Sequence, residues 1–433
     1  MTVSPFDSAL LGPLFGDAEL GELFSDAAAV AAMTRVERAL ARAEGACGVI
    51  PPEAAAAIDA GLAGVAVAPA ALAAGTASAG VAVPALVAEL RKALAPGAGQ
   101  WLHWGATSQD IVDTALALRL AAALDLLAAR IDALAAALAT AARAWADLPM
   151  AGRTRSQVAT PISFGLRVAR WRQPLPALRA GLDGLRPRVA RVQLGGAVGS
   201  NAAIAPQGRA VAAAMAAELG LAAGPAWHVD RSGMGALAGW CAGLTGALGK
   251  MAGDLILMGR TESAEARAGA GGGSSTMPQK ANPVGAETIV ALARLAAALA
   301  TPMHLAALHA EERDGAAWGL EWLVLPQSLV AAAAALRHAQ ALADTLAPDA
   351  QRMRAVLGLD GGAVMAEAAS FALAETMPRA EAQALVKRAV TGRAADETLA
   401  QAIARLGGPV LDLDPGRGLA GLRDAIEEAL AAD

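Results

Sequence analysis

The sequence predicts an all-α protein built around a bundle of long helices, and three observations predict it. Of 433 residues 55% are apolar, but only 3% are aromatic and Tyr is absent. The apolar content is mostly Ala with Leu and Val, the composition of closely packed helices rather than of a β-sandwich. Between Ile111 and Trp145, the residues Leu120, Leu124, Leu127, Ile131, Leu134 and Leu138 are spaced 4, 3, 4, 3, 4. That spacing is the seam of a helix packed against other helices. Finally, further Ala- and Leu-rich stretches follow, each bounded by Gly, Pro or Asn clusters of the kind that end helices.

In chain order, residues 1–106 read as a small helical head, closed by the Pro96 to Gly105 stretch with its Gly97 and Gly99. The helix through Ile111 and Trp145 spans roughly 50 Å at 1.5 Å per residue. Its charged residues Asp113, Arg119, Asp125, Arg130, Asp132 and Arg143 avoid the seam, and so long an apolar seam needs other long helices beside it. Candidates are Ile162 to about Leu185, Gly208 to Leu219, Gly235 to Arg260, Val284 to Ala310, and Pro326 to Ala347. Together they define a central bundle over 107–345. Leu346 to Pro348 and Asp349 then open a more charged helical tail, 346–433. No internal repeat is visible.

Charge and cysteine content narrow the function. Lys and Arg number 35 against 40 Asp and Glu, a net charge of -5, with a pI near 5.7, so the basic surplus that binds a phosphate backbone is missing. Nucleic acid is not an expected partner. Cys47 and Cys241 lie far apart in apolar stretches, which excludes a disulfide framework and a cysteine metal site and fits a reducing compartment. Residues Met1 to Gly16 lack a basic start, and Pro5 and Asp7 interrupt the apolar run, so no secretory signal is read. Ala60 to Ala88 carries no charge, but it contains Pro69, Pro84 and several glycines, and its Ala gains little in a bilayer. A cytoplasmic protein without a membrane span is expected.

Two segments carry residues suited to chemistry. The first, His103-Trp104-Gly105-Ala106-Thr107-Ser108-Gln109-Asp110, runs straight into the long helix. Thr107 and Asp110 make a capping pattern, and the same geometry makes a carboxylate or phosphate site from a helix N-terminus flanked by hydroxyls, an amide and an imidazole. A cap alone leaves His103 and Gln109 unexplained. The second runs Gly271-Gly272-Gly273-Ser274-Ser275-Thr276-Met277-Pro278-Gln279-Lys280-Ala281-Asn282-Pro283. Here the Lys follows the serines by five or six residues, which excludes a phosphate-cradling P-loop. What remains is a mobile loop presenting Ser274 and Ser275, with Lys280 near enough to stabilise an alkoxide or oxyanion. Its glycines suit closure over a substrate.

The second segment resembles the G-S-S-x-M-P-x-K-x-N-P signature of the fumarase/aspartase superfamily, and the first resembles that superfamily's H-x-G-x-T-S-x-D block. Two more segments agree in order. Gly152-Arg153-Thr154-Arg155-Ser156-Gln157 is similar to its G-R-T-x-x-Q block, and Gly195-Gly196-Ala197-Val198-Gly199-Ser200 to its G-A-x-G-T turn. Within the superfamily the chain looks most like the bacterial carboxymuconate-cycloisomerase branch. Ala317-Trp318 and Glu321-Trp322 after Glu311-Glu312-Arg313, and Gly361-Gly362-Ala363-Val364-Met365-Ala366-Glu367-Ala368, point there. Read alone, Trp318 and Trp322, four apart, suit core packing on one helix face better than a site wall.

The resemblance implies a fumarase/aspartase-like fold and closure of a lactone from a small polycarboxylate in aromatic-acid catabolism, without cofactor or metal. It implies a homotetramer whose active sites are shared between chains. By the same likeness Ser274 is the catalytic proton carrier with Lys280 beside it, and His103, Thr107, Ser108, Gln157 and Asn282 bind substrate. Arg155 and Arg313 either clamp carboxylates or form surface salt bridges. Two positions depart from related enzymes. Adenylosuccinate and argininosuccinate lyases and fumarases carry His where Arg155 stands, a general acid replaced by a permanent cation. Ala281 stands where cycloisomerases often have Arg, which leaves another polycarboxylate lyase as the alternative.

Overall fold

The computed structural model describes residues 4–273, 276–277, 280–419 and 421–431. It is predominantly helical, as the sequence predicts. The principal elements are α1 (Asp26–Ala46), α2 (Pro52–Leu62), α3 (Val83–Lys92) and the 37-residue α4 (Ser108–Ala144). A hairpin of β1 (Pro149–Thr154) and β2 (Gln157–Ser163) follows, then α5 (Phe164–Arg172), α6 (Leu175–Val189), α7 (Gly208–Leu219) and α8 (Ser232–Met258). Three two-residue strands come next, β3 (Ala266–Arg267), β4 (Gly272–Gly273) and β5 (Ala281–Asn282), ahead of α9 (Val284–Leu305) and α10 (Gly315–Asp344). The tail holds β6 (Ala347–Pro348), α11 (Ala350–Leu357), α12 (Ala366–Ala374), α13 (Arg379–Thr391), α14 (Leu399–Arg405) and α15 (Leu422–Ala431).

The helix ends have local causes. Ser25 Oγ accepts from Ala28 N at 3.1 Å and starts α1, and Asp314 Oδ1 accepts from Ala316 N and Ala317 N and starts α10. All six seam residues of α4 are at most 1% exposed, and full burial of each such side chain stabilises by about 1.5–3 kcal/mol. Two expected helices differ in extent. Ile162 to Leu185 is not continuous, because Pro174 and Pro176 remove amide hydrogens where α5 stops and α6 begins. Pro326, read as a helix start, lies inside α10, which the Asp314 cap begins eleven residues earlier.

The chain divides into two compact units. One comprises Met1–Arg130, Leu178–Gly246 and Ala291–Leu336. Its core joins Val36, Leu40, Ile58, Leu86, Leu90, Ile111 and Val211. On α10 the run Ala331 to Ala335 is wholly buried, and Arg130 Nη1 donates to Ala333 O at 3.3 Å and to Asp17 at 2.6 Å.

The other comprises Ile131–Ala177, Ala247–Val290 and Arg337–Asp433. Its β1–β2 hairpin is antiparallel with an irregular register at Gly152, where any Cβ would lie 2.5 Å from Thr160 O. Arg153 Nη2 donates to the buried Glu265 at 2.6 Å, and Trp171 Nε1 to Asp254 at 2.8 Å. A separate tail core gathers Leu373, Leu385, Leu399 and Ile403.

By length and composition α8, α9 and α10 are long and apolar enough to cross a bilayer. Within one chain their most apolar stretches are 44%, 28% and 67% buried.

Candidate active site

The first sequence block forms the best-organised polar site of its unit. Thr107 precedes α4, and its N–H donates to Asp110 Oδ2 at 3.0 Å, so Asp110 supplies the carboxylate half of the expected capping pattern. The Thr107 hydroxyl is used differently, since it accepts from Arg313 Nη2 at 3.0 Å. An oxygen that accepts from a guanidinium keeps its own hydrogen to donate, which suits Thr107 to a substrate carboxylate. Ser108 is the first residue of α4 and is half-buried. Both lie where the first amides of the helix and its dipole favour an anion.

Asp110 is a structural hub rather than a catalytic acid. It is 1% exposed, and Oδ1 and Oδ2 accept from Gly195 N and Gly196 N, both at 2.9 Å, while His228 Nε2 lies 2.8 Å from Oδ1. Two of the four sequence blocks therefore meet on one carboxylate. The glycines are needed there: a Cβ on Gly195 would lie 2.7 Å from His228 Cε1, and Gly196 has φ 68°. Arg313 is exposed but not solvated freely. Its Nε donates to Gln109 Oε1 at 3.0 Å and Nη2 also to Ala197 O at 3.1 Å, so it braces this block and pairs with no acid among the described contacts.

Beneath the block lies a buried ion network. Arg231 donates through Nη1 to Asp113 Oδ2 at 2.6 Å and through Nε to Glu321 Oε2 at 2.9 Å, and its Nη2 also reaches Glu321 Oε1. All three residues are at most 2% exposed. Burial pulls the Arg231 pKa down, but the two carboxylates outweigh it and hold the guanidinium above its ordinary value. For Glu321 burial wins over the attraction of Arg231 and pushes the carboxyl up. Asp113 also accepts from Gln109 Nε2 at 3.2 Å and from Trp318 Nε1 at 3.2 Å. Trp318 is thus a buried structural tie, and Trp322 packs on it at 4.6 Å between ring centroids.

His103 opens the block. Its backbone is left-handed, φ 63°, and its Nδ1 lies 2.7 Å from Oε1 of the fully buried Glu37. Burial pulls the imidazole pKa down, but Glu37 by charge and hydrogen bond, with Asp110, raises it on balance.

The remaining predicted residues lie in the other unit. Arg155 and Ser156 form the two-residue turn of the β1–β2 hairpin with φ 49° and 65°, the left-handed pair that suits strand twist. Arg155 is exposed, and among the described residues no acid pairs with it; Gln157, exposed, opens β2. At the ends of the glycine-rich segment a two-residue antiparallel pairing sets Gly272 opposite Asn282 and Gly273 opposite Ala281. Lys280 is exposed and its N–H donates to Met277 O at 3.0 Å. The predicted catalytic Ser274, and Ser275, lie outside the described residues.

Sequence reading missed Glu37, His228, Arg231 and Glu321 as site-forming residues, and treated Asp113 only as a charge off the seam. One signal was present for Glu321, a lone charge between Leu320 and Trp322 in an apolar run, since such groups are seldom buried unless paired; Glu37, His228 and Arg231 stand among other polar residues and gave none.

The chain is similar to known proteins over most of its length. A family model described as Lyase matches residues 19–296. The 3-carboxy-cis,cis-muconate cycloisomerase of Pseudomonas aeruginosa is 41% identical over 439 residues, 98% of this chain and 96% of that protein. The crystal structure of 3-carboxy-cis,cis-muconate lactonizing enzyme from Pseudomonas putida superimposes with a TM-score of 0.91 at 36% identity, covering 98% of this chain and 99% of that one. A nitrosuccinate lyase of Streptomyces davaonensis is 36% identical over 409 residues, 88% of this chain and 84% of that protein.

Proposed function

Because the chain belongs to the lyase family of the fumarase/aspartase superfamily, we propose that it is an intramolecular lyase converting 3-carboxy-cis,cis-muconate to a carboxymuconolactone in aromatic-acid catabolism. The observation that carries this reading is the full-length likeness to the Pseudomonas enzymes, in sequence and in fold.

In the lactonising direction one substrate carboxylate oxygen adds to a ring-forming double-bond carbon, and the adjacent carbon takes a proton. The reverse is a β-elimination. Charge accumulates on a second carboxylate, so donors fixed at its oxygens lower the barrier. Thr107, Ser108 and the α4 N-terminus supply such donors, with His103 beside them and Gln109 and Arg313 bracing Thr107. By likeness to the superfamily, Ser274 carries the proton, Lys280 and Asn282 hold the loop charge and the substrate, and Gln157 binds. Arg155 replaces the His of related lyases. The group expelled in the reverse step is a carboxylate, which needs no proton, and a permanent cation serves it better than a titrating imidazole.

The three-part division 1–106, 107–345 and 346–433 belongs to this reading, as does a cytoplasmic homotetramer with sites shared between chains. Support for assembly comes from α8 and α9, of whose most apolar stretches only 44% and 28% is buried within one chain, which leaves apolar surface of the kind that proteins bury against partners. Light scattering should give four times the chain mass, and a stable active monomer contradicts it.

A second reading has its own observation, the likeness to nitrosuccinate lyase: nitrite, like a carboxylate, is a weakly basic leaving group. Purified protein incubated with 3-carboxy-cis,cis-muconate should consume the diene absorbance and release a lactone. Turnover of nitrosuccinate or adenylosuccinate in its place selects another lyase of the family.

A further inference from the structure

A carboxylate buried in the middle of an apolar helix face needs a reason. Glu37 is fully buried on α1 among Val36, Ala39 and Leu40, and its Oε2 has no hydrogen-bond partner. Glu44, seven residues on and therefore on the same face, is buried too, and neither of its oxygens has a partner. Burial first and the Glu37 charge second push the Glu44 carboxyl up to about 9, so Glu44 is neutral near pH 7. The two acids differ in one respect. Glu37 meets a basic group, His103 Nδ1, at 2.7 Å across 66 residues of sequence, and Glu44 meets none.

His103 is itself held in an uncommon state. Its φ of 63° is a conformation that residues with a Cβ adopt at a cost, so the surroundings must fix it. The charged groups around the ring are Glu37 from α1, Asp110 from α4 and Arg91 from α3. Arg91 is engaged elsewhere, donating to Gly99 O at 3.1 Å and Leu102 O at 3.2 Å. Asp110 is saturated by amides and His228. Among the described residues, Glu37 is the acid that hydrogen-bonds the imidazole.

We infer that Glu37 is a positioning residue for the reaction: its carboxylate accepts the Nδ1 hydrogen of His103 and fixes the ring, so that the imidazolium presents its Nε2 hydrogen to a substrate carboxylate. This rests on the placement of His103 in the site proposed above. A carboxylate orienter also keeps the imidazole cationic further into the alkaline range, so the pair forms a receptor for an anionic substrate.

Steady-state kinetics of the whole enzyme on 3-carboxy-cis,cis-muconate test it across roughly pH 6 to 10. Glu37→Gln should raise KM about tenfold with kcat changed less than about threefold. It should also move the alkaline limb of kcat/KM down by about one pH unit, because an amide stabilises the imidazolium less. His103→Gln should cost about the same, and the double variant no more than about twofold further. If His103→Gln raises KM while Glu37→Gln leaves KM and the limb in place, or if the losses multiply, the positioning role is overturned. If His103→Gln leaves KM unchanged, the placement of His103 in the site is what fails. Should Glu37→Gln not fold, Glu37→Asp keeps the charge and withdraws it by one methylene. A raised KM is expected there also, and an unchanged one contradicts the role.

Discussion

The block from His103 to Asp110 and the turn bearing Arg155 are both expected to meet substrate, yet they are held by opposite means. Asp110 takes two backbone amides, a histidine and the Thr107 N–H while buried, and the Arg231 network beneath it satisfies a second layer of carboxylates. Arg155 stands exposed at the tip of a two-residue turn. The first arrangement is preorganised within one chain. The second has a fixed backbone and an exposed side chain with which no acid among the described residues pairs. The contrast separates two kinds of substitution: changes under the first block should strike stability, and changes on the exposed turn should strike catalysis alone.

The largest effect is expected beneath the first block. Arg231→Met leaves Asp113 and Glu321 buried without their cation, and breaking such a set costs about 3–5 kcal/mol. Thermal unfolding should show a melting temperature lowered by several degrees or loss of the folded protein. A variant as stable as the parent would mean that the network is not what holds the block.

Next comes the loop. Ser274→Ala should reduce turnover about a hundredfold or more, as loss of a proton-transfer group does, with an unchanged melting curve. Near-full activity would move the role to Ser275.

Arg155→Ala should lower kcat/KM on the muconate about tenfold and leave stability within about 0.5 kcal/mol. Unchanged kinetics would make this arginine a surface residue and dissolve the contrast. Arg155→His should weaken turnover too and should not by itself create adenylosuccinate lyase activity.

A further effect, read in the pH dependence of stability rather than in activity, tests burial without pairing. Glu44 has a folded pKa of about 9 against an ordinary 4.5, so the unfolded chain loses its proton first. The stability associated with this group is therefore fully present below about pH 4.5 and declines as pH rises toward 9. Glu44→Gln should flatten the fall of melting temperature between those limits. An identical pH dependence in parent and variant would show that Glu44 is ionised in the folded protein.

How much of this was legible follows from the range of each interaction. The α4 seam could be read because a helix repeats its face every few residues, and Leu120 to Leu138 are buried as spaced. The α5 boundary lay in Pro174 and Pro176, whose effect is local, but the β1–β2 hairpin did not show, because its mixed composition gives no clean alternation. The motif residues could be named as candidates, while their partners could not. Asp113 and Arg231 are 118 residues apart, and Arg231 and Glu321 are 90; no local pattern pairs them. Thr107 illustrates the limit well: its backbone follows the cap in the sequence, and its hydroxyl is taken by Arg313, 206 residues away.

In the proposed tetramer a braced first block from one chain meets the glycine-rich segment of another. Subunit mixing tests it most directly. A Thr107→Val, Ser108→Ala double variant, stripped of the first block's hydroxyl donors and expected to lose about a hundredfold or more in turnover, and Ser274→Ala protein are unfolded together in equal amounts and refolded, and turnover of 3-carboxy-cis,cis-muconate is measured. If the first block and Ser274 of one site come from different chains, random reassembly leaves roughly a quarter of the sites with both intact, and activity should return to about that fraction of the parent. If both come from the same chain, every site stays defective. Mixed tetramers that form yet remain inactive would contradict the shared site.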